Sequence, residues 1–322
     1  MPKIITITAN TAIDKITGWV NKGRPNEEPL TVLFPAGKGV NVARTVATLE
    51  QEVLALGFVG LEDQNFFQTL NSPNFHVRLI AVNGPTRTNV SVLDRNGRMI
   101  SYIRNSGFTI ADRELEQLIS SLTSLVARGD VVVISGSLPL GLEPTVYEHL
   151  VRLSREHGAT VILDSSNTEL EAGLRSAPFM IKPNLAEFES LIKKSNANEK
   201  DIIDAAERIL MLGVSLVVVS RGSEGIIALS NESPRVWKAN VTLDKETALS
   251  EGIGSGDALV GGIAVGLLEH RPLMETLRLG VACGAANLLT AGPGQCRIED
   301  IERLAASVTI EPAEVRLASK TN

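Results

Sequence analysis

The chain has 322 residues, the size of one large domain or two small ones, and its 31 basic and 37 acidic side chains give a formal net charge of −6. With 43% hydrophobic and 21% charged residues it has an ordinary globular composition, which excludes a disordered chain, a collagen-like chain and a strongly basic nucleic-acid binder. The acidic balance leaves room for a local basic pocket that takes an anionic substrate.

From the N-terminus, the alternating run Ile4–Thr8 reads as a strand and not as a signal or transit peptide. Residues from about 14 to 35 break the rhythm, with Gly23, Pro25, Pro29 and Pro35 set around short apolar pieces. Asn41–Leu49 then reads as a helix, and Val53–Phe58 and Val77–Val82 as strands. A second irregular stretch, from about 86 to 106, contains Asn89–Leu93, an Asn-Gly turn at Asp94–Gly97, and Met99–Ile103, the pattern of a hairpin. Together the two stretches suggest a small β insertion outside the main sheet, a lid or a dimer surface; the other arrangement is a pair of edge additions to the main sheet.

Further along, helices are predicted at Arg113–Ala127, Pro144–His157, Leu185–Lys193, Ile202–Leu212, Ala258–Leu268 and Met274–Leu289. Strands are predicted at Val131–Ser135, Thr160–Leu163, Phe179–Ile181 and Leu216–Val219. In Val131–Ile134 and Leu216–Val219 the apolar residues do not alternate with polar ones, which predicts strands buried on both faces, as in a parallel sheet covered by helices. The fold class expected is α/β, a doubly wound, mostly parallel sheet flanked by helices. The last residues, Ala313–Asn322, are expected to fray. No apolar run approaches the ~20 residues of a membrane helix. Cys283 and Cys296 read as packing residues, and His76, His149, His157 and His270 form no ligand-spaced pair. A cytoplasmic protein is expected.

The strongest chemical signal is Glu251–Gly262. Gly252, Gly254 and Gly256 alternate and lead into an apolar helix, whose first-turn N–H groups and dipole make an anion site. Asp257 at that start reads either as a cap or as a carboxylate that takes the proton of an attacking hydroxyl. The segment fails the dinucleotide fingerprint, because position 259 is Leu, and it is no Walker A loop, because the chain's Gly37-Lys38 is followed by Gly39. A second signal, Pro35–Arg44, holds a Gly-x-Gly turn that opens a helix, with Asn41 in its first turns. It reads as a plain helix start or as backbone and amide offered to a polyhydroxylated ligand. The third, Lys182-Pro-Asn-Leu-Ala-Glu187, follows an apolar run. It reads as an exposed cap, or as a phosphate-reading Lys182 and a Mg²⁺-holding Glu187 at the carboxyl end of a strand.

In this order the three segments resemble the phosphofructokinase B family of carbohydrate kinases, in the ribokinase-like superfamily. Ala36-Gly-Lys-Gly-Val-Asn-Val-Ala43 is similar to the family's first signature, Gly254-Ser-Gly-Asp257 to its second, and Lys182–Glu187 to its K-P-N-x-x-E. Further matches are Asn10–Asp14, Thr86–Asn89, Ser135–Pro139 and Ser220–Gly225, so the resemblance runs from Ile4 to about Glu302. It implies one ribokinase-like domain over residues 1–322, with a β-sheet lid made by the two insertions that pairs with its copy in a homodimer. The Thr-Arg-x-Asn and Ser-Gly-Ser-Leu-Pro features look most like the branch acting on sugar phosphates, which includes 1-phosphofructokinase and tagatose-6-phosphate kinase.

The resemblance also implies residue roles. Asp257 would be the base, beside an anion hole at Gly254, Ser255 and Gly256. The acceptor sugar would meet Asp14, Gly37, Lys38, Gly39, Asn41 and Asn105, with Arg87 and Ser137 near its phosphate. ATP would meet Lys182, Asn184, Ser220, Gly222, Gly225 and Asn287, and Glu187 would hold Mg²⁺ through water. Pro25-Asn-Glu-Glu28 stands where the resemblance implies a basic residue; its carboxylates disfavour a phosphate, though Arg24 or Lys22 could take over. Two alternatives follow: a kinase of an unphosphorylated sugar or nucleoside, and a non-catalytic nucleotide- or sugar-binding sensor.

Overall fold

Strands that carry apolar residues at every position are covered on both sides. In the computed structural model, which describes residues 1–19, 28–243 and 252–313, Ile4 and Val133 face one core layer while Ile5, Ile7, Val132 and Ile134 face the other. Lys22, Arg24, Glu27, Glu251 and residues 314–322 lie outside the described residues, and with them the basic substitutes, the acid at 27, the first residue of the Glu251–Gly262 signal and most of the tail expected to fray.

The first half of the chain forms β1 (Ile4–Thr8), β2 (Ala12–Gly18), β3 (Leu30–Ala36), α1 (Lys38–Thr48), β4 (Val53–Gly60), α2 (Gln64–Gln68) and β5 (Phe75–Val82). β6 (Arg87–Leu93), β7 (Met99–Arg104), α3 (Asp112–Leu125), β8 (Val131–Ser135), α4 (Thr145–Glu156), β9 (Thr160–Asp164) and α5 (Asn167–Leu174) follow. Then come β10 (Met180–Ile181), α6 (Leu185–Ile192), α7 (Glu199–Met211), β11 (Leu216–Ser220), β12 (Ile226–Ser230) and β13 (Ser233–Asn240). α8 (Ser255–Leu268), α9 (Leu273–Asn287), α10 (Ile298–Ala305) and β14 (Thr309–Pro312) complete it.

A 10-stranded sheet runs in the order β14-β13-β12-β11-β10-β9-β8-β1-β4-β5. From β11 to β5 every pair is parallel, and β12, β13 and β14 extend the edge antiparallel. That extension was not among the predicted strands. Chain order reverses at β1, which lies between β4 and β8, and such a switch point opens a crevice at the carboxyl ends of the strands. The hairpin and the first irregular stretch form a separate 4-stranded sheet, β3-β2-β6-β7, and not edge additions to the main sheet.

α8 is buried from Asp257 to Gly266, as expected of a helix apolar on all sides. Its backbone touches α9: a side chain at Gly262 would begin 2.8 Å from the Gly280 Cα and 2.9 Å from the Cys283 Sγ. This close approach holds the start of α8 against the crevice. No described helix is long and apolar enough to cross a membrane.

Candidate active site

Register brings the charged residues together. Ile181 of β10 pairs with Leu163 of β9, so Lys182 emerges beside Asp164, and Ser135 of β8 pairs with Asp164 on the other side. The Lys182 ammonium lies 3.4 Å from the Asp164 carboxylate, and both side chains are buried. Lys38, on the first turn of α1, reaches the same Asp164 oxygen at 3.3 Å and the Glu187 carboxylate at 3.7 Å. Asp164 escaped the sequence reading because an acid at the end of a strand looks like a strand stop. Its position at the carboxyl end of a buried parallel strand was the available signal.

Asp257 is not the cap of α8. Gly254 is the N-cap, and Asp257 stands at the third helical position with its side chain turned to a neighbouring element. Asn41 Nδ2, on α1, donates to Asp257 Oδ2 at 2.8 Å in a buried contact. Burial, and then the charge of Asp164, push the Asp257 carboxyl up to about 7, against the opposing pull of Lys38, Asn41 and Lys182. Burial would lower the Lys38 ammonium, but the surrounding carboxylates of Asp164, Glu187 and Asp257 hold it above its ordinary value.

The amides at the start of α8 are unequally placed. Ser255 N–H donates to Gly252 O at 3.1 Å, whereas the N–H groups of Gly254, Gly256 and Asp257 find no backbone acceptor among the described residues. The Ser255 hydroxyl is buried without a partner. Lys182 Nζ lies 3.3 Å from where a side chain at Gly256 would begin, which puts its charge beside those amides.

Gly254 has φ 82, in the left-handed region, and a side chain there would begin 2.6 Å from Gly294 N. Gly254→Ala is therefore expected to lower the melting temperature and, by displacing the start of α8, to reduce kcat by about 10²-fold. Thermal melting together with ADP release checks this; unchanged values in both would refute it. The loop that seats Gly254 is stapled by Asn287, whose Nδ2 donates to Gly292 O at 2.9 Å and Gln295 O at 3.0 Å. Arg44 adds bonds to Pro293 O at 2.6 Å and Pro35 O at 2.7 Å. Asn287 thus serves the loop directly.

The third segment forms a reciprocal cap. Asn184 Oδ1 accepts from Glu187 N–H and Glu187 Oε2 from Asn184 N–H, each at 2.8 Å. The other Glu187 oxygen is the one facing Lys38. Asn184 bridges to Ser220, and Gly222 lies in the turn that follows, where an added side chain would meet nothing within 4 Å. The turn closes at Gly225, packed on the Ala239 carbonyl. Lys182, Asn184, Ser220 and Gly222 therefore border one open edge of the crevice.

The second sheet supplies the opposite side. Asn89 Nδ2 donates to the buried Asp14 at 2.7 Å, and burial raises the Asp14 carboxyl although Asn89 and nearby arginines oppose it. Gly37 caps α1, and Gly39 lies so close to β1 that a side chain would begin 2.4 Å from Thr8 Oγ1. Arg87 is half-buried and its Nε has no hydrogen-bond partner. Ser137 sits half-buried in the loop after β8, which is held where Tyr147 Oη donates to Gly136 O at 3.1 Å and Ser165 Oγ at 2.8 Å. Asn105 is exposed and engaged with the sheet, accepting from Thr88 N–H at 2.6 Å.

Comparison with known proteins gives a consistent result. The model of the pfkB family carbohydrate kinases matches residues 4–300. A 1-phosphofructokinase from Escherichia coli K12 is 31% identical over 314 residues, covering 96% of this chain and 98% of that protein. A tagatose-6-phosphate kinase from Staphylococcus epidermidis is 30% identical over 313 residues, covering 95% and 99%. Among solved structures, phosphofructokinase-2 from Escherichia coli superposes with a TM-score of 0.83 at 28% identity, covering 95% of this chain and 99% of that one.

Proposed function

Because the chain belongs to the pfkB family of carbohydrate kinases, we propose that it transfers the γ-phosphoryl group of ATP to a hydroxyl of a sugar phosphate, in the manner of a 1-phosphofructokinase or a tagatose-6-phosphate kinase. In the first case fructose 1-phosphate becomes fructose 1,6-bisphosphate. The observation that carries this reading is the Asn41–Asp257 hydrogen bond of 2.8 Å, which joins the helix start that follows the second sheet to the helix start that carries the anion hole. A base held at that junction stands between an acceptor on one side and a donor phosphate on the other.

Asp257 accepts the proton of the attacking hydroxyl while the new oxygen–phosphorus bond forms and the bond to the ADP oxygen breaks. The Gly256 and Asp257 N–H groups and Lys182 face the charge on the transferred group. Asp14 and Asn89 orient sugar hydroxyls, and Arg87 with Ser137 takes the acceptor's phosphate. Lys182, Asn184, Ser220 and the open turn at Gly222 border the donor. The oxygens of Asp164 and Glu187 suit Mg²⁺, since Asp164 Oδ2 is buried without a hydrogen-bond partner and carboxylates are hard donors. When bound, the ion neutralises charge on the donor phosphates.

Glu28, which argued for a neutral acceptor, is exposed, and its neighbour at 27 is outside the described residues. The second sheet lines up Leu33 and Ile103, both exposed, in one lateral row with Lys15 and Val90, which supports its use as a lid that pairs with a second copy. The test is ADP release with Mg-ATP and a panel of fructose 1-phosphate, fructose 6-phosphate, tagatose 6-phosphate, fructose, ribose and adenosine. Turnover confined to a sugar phosphate is expected. Turnover only of a neutral acceptor would move the reading to a sugar or nucleoside kinase, and ATP binding with silence across the panel would favour a sensor.

A further inference from the structure

A cavity of about 490 Å³ lies between the outer turns of α1 and the loop that joins α9 to α10. Arg44 and Thr48, four residues apart on α1, form one wall, and Leu289, Ala291 and Arg297 belong to the other. No acid lines it, and among the described residues neither Arg44 nor Arg297 has a carboxylate within ion-pair distance. Asp300, close enough to act on Cys296 in the same wall, is paired with Arg303 at 2.7 Å. Arg44 is half-buried, and burial holds its guanidinium down to about 10 against the pull of Asp14. It is a cation with a carboxamide and backbone carbonyls for hydrogen-bond partners.

An anion is a stronger acceptor for a guanidinium than a carbonyl is, and the planar fork of arginine matches phosphate oxygens. Leu289 and Ala291 add apolar surface beside the two charges. The volume falls in the range of small-molecule sites, about 300–1,000 Å³. We propose that this cavity is an inhibitory site for a small organic phosphate, whose phosphate meets Arg44 and Arg297 and whose carbon skeleton lies on Leu289 and Ala291.

Inhibition follows from what Arg44 holds. Its bond to Pro293 O, with the bond from Thr45 Oγ1 to Gly294 O at 3.0 Å, fixes the loop as a wedge between the two helix starts of the crevice. A side chain at Gly294 would begin 2.3 Å from Asn41 O, and one at Gly254 would begin 2.6 Å from Gly294 N. Asn41 in turn holds Asp257. An anion that draws Arg44 away from Pro293 therefore loosens the seat of both Gly254 and Asn41, and the base and the anion hole lose their common alignment.

Phenyl phosphate is the probe, because it carries a phosphate on an apolar body and has no hydroxyl to be phosphorylated. Mg-ADP and the best acceptor, both saturating, fill the crevice, so the heat of added phenyl phosphate reads the cavity. One further molecule is expected to bind. Arg297→Glu should weaken that binding about 10–100-fold, the loss of a charge-assisted hydrogen bond. Thr48→Phe, which narrows the cavity and leaves its charges in place, should weaken it as well. In turnover, phenyl phosphate should lower kcat of the wild type without changing KM for ATP. Both variants should keep the wild-type rate and melting temperature in its absence and need correspondingly more of it for inhibition. No heat with the crevice filled, equal affinity in Arg297→Glu, inhibition competitive with ATP or acceptor, or binding that leaves kcat unchanged would each overturn the proposal. The calorimetric arm needs no turnover, so a failure of the kinase reading shows separately, as silence with every acceptor.

Discussion

Asp257→Asn is expected to lower kcat by about 10²–10⁴-fold, the usual cost of losing a general base, while ATP still binds and the fold persists. The amide keeps the shape of the carboxylate and still offers an oxygen to Asn41 Nδ2, so the α1–α8 junction survives. What disappears is a group able to hold a proton. Unchanged turnover would remove Asp257 from the chemistry.

The same residue fixes the pH dependence. Burial and the Asp164 charge raise its carboxyl to about 7, and only the ionised form can act as base. In the wild type kcat/KM should therefore fall about tenfold per pH unit below about 7 and level off above it. Stability runs the other way. The native carboxyl holds its proton more tightly than an unfolded one near ~3.9, so this group stabilises the fold at acid pH and that contribution is lost as pH rises towards about 7. At pH 8 the Asn variant, free of a buried charge, should melt no lower than wild type. A variant that is slow because it is misfolded would melt lower, so melting separates the two explanations.

How far the sequence reaches is visible in particular residues. The non-alternating runs at Val131–Ile134 and Leu216–Val219 predicted strands buried on both faces because burial on both sides leaves no polar position, and both became central strands. The Asn-Gly hairpin was equally legible, since its turn chemistry is local. Thr309–Pro312 was not legible: a short, mostly exposed edge strand has no burial pattern to show and is defined by its partner β13 alone. Ile226–Ser230 was an apolar run that went unread.

The same division holds in the site. Gly254, Lys182 and Asn41 each stand in a local motif, whereas Asp164 acquires its meaning from two lysines 126 and 18 residues away in the chain. Asn105, singled out by resemblance, is engaged at the sheet edge. Local signals find the groups that build a turn, and pairing between strands finds the charges that face each other.

Asp164→Asn is expected to have the second large effect, on stability and on pH dependence together. Asp164 is fully buried and lies 3.3 Å from Lys38 and 3.4 Å from Lys182. Removing one member of a buried ion cluster leaves its partners uncompensated, at a cost of about 3–5 kcal/mol, although Glu187 and Asp257 remain near. Melting should therefore fall markedly. The acid limb of kcat/KM should move to lower pH, because the negative charge that helps to raise Asp257 is gone. Lys38→Met should move the limb the opposite way, since Lys38 is the largest of the influences that lower Asp257. Opposite displacements by two residues that touch the same carboxylate cluster are hard to obtain from general destabilisation, which would alter rates without moving the limb in a charge-dependent sense. Profiles measured on both variants at fixed ionic strength decide the matter. Limbs that coincide with wild type would mean that Asp257 titrates independently of the lysine–aspartate cluster, and that burial alone sets the pH at which the base works.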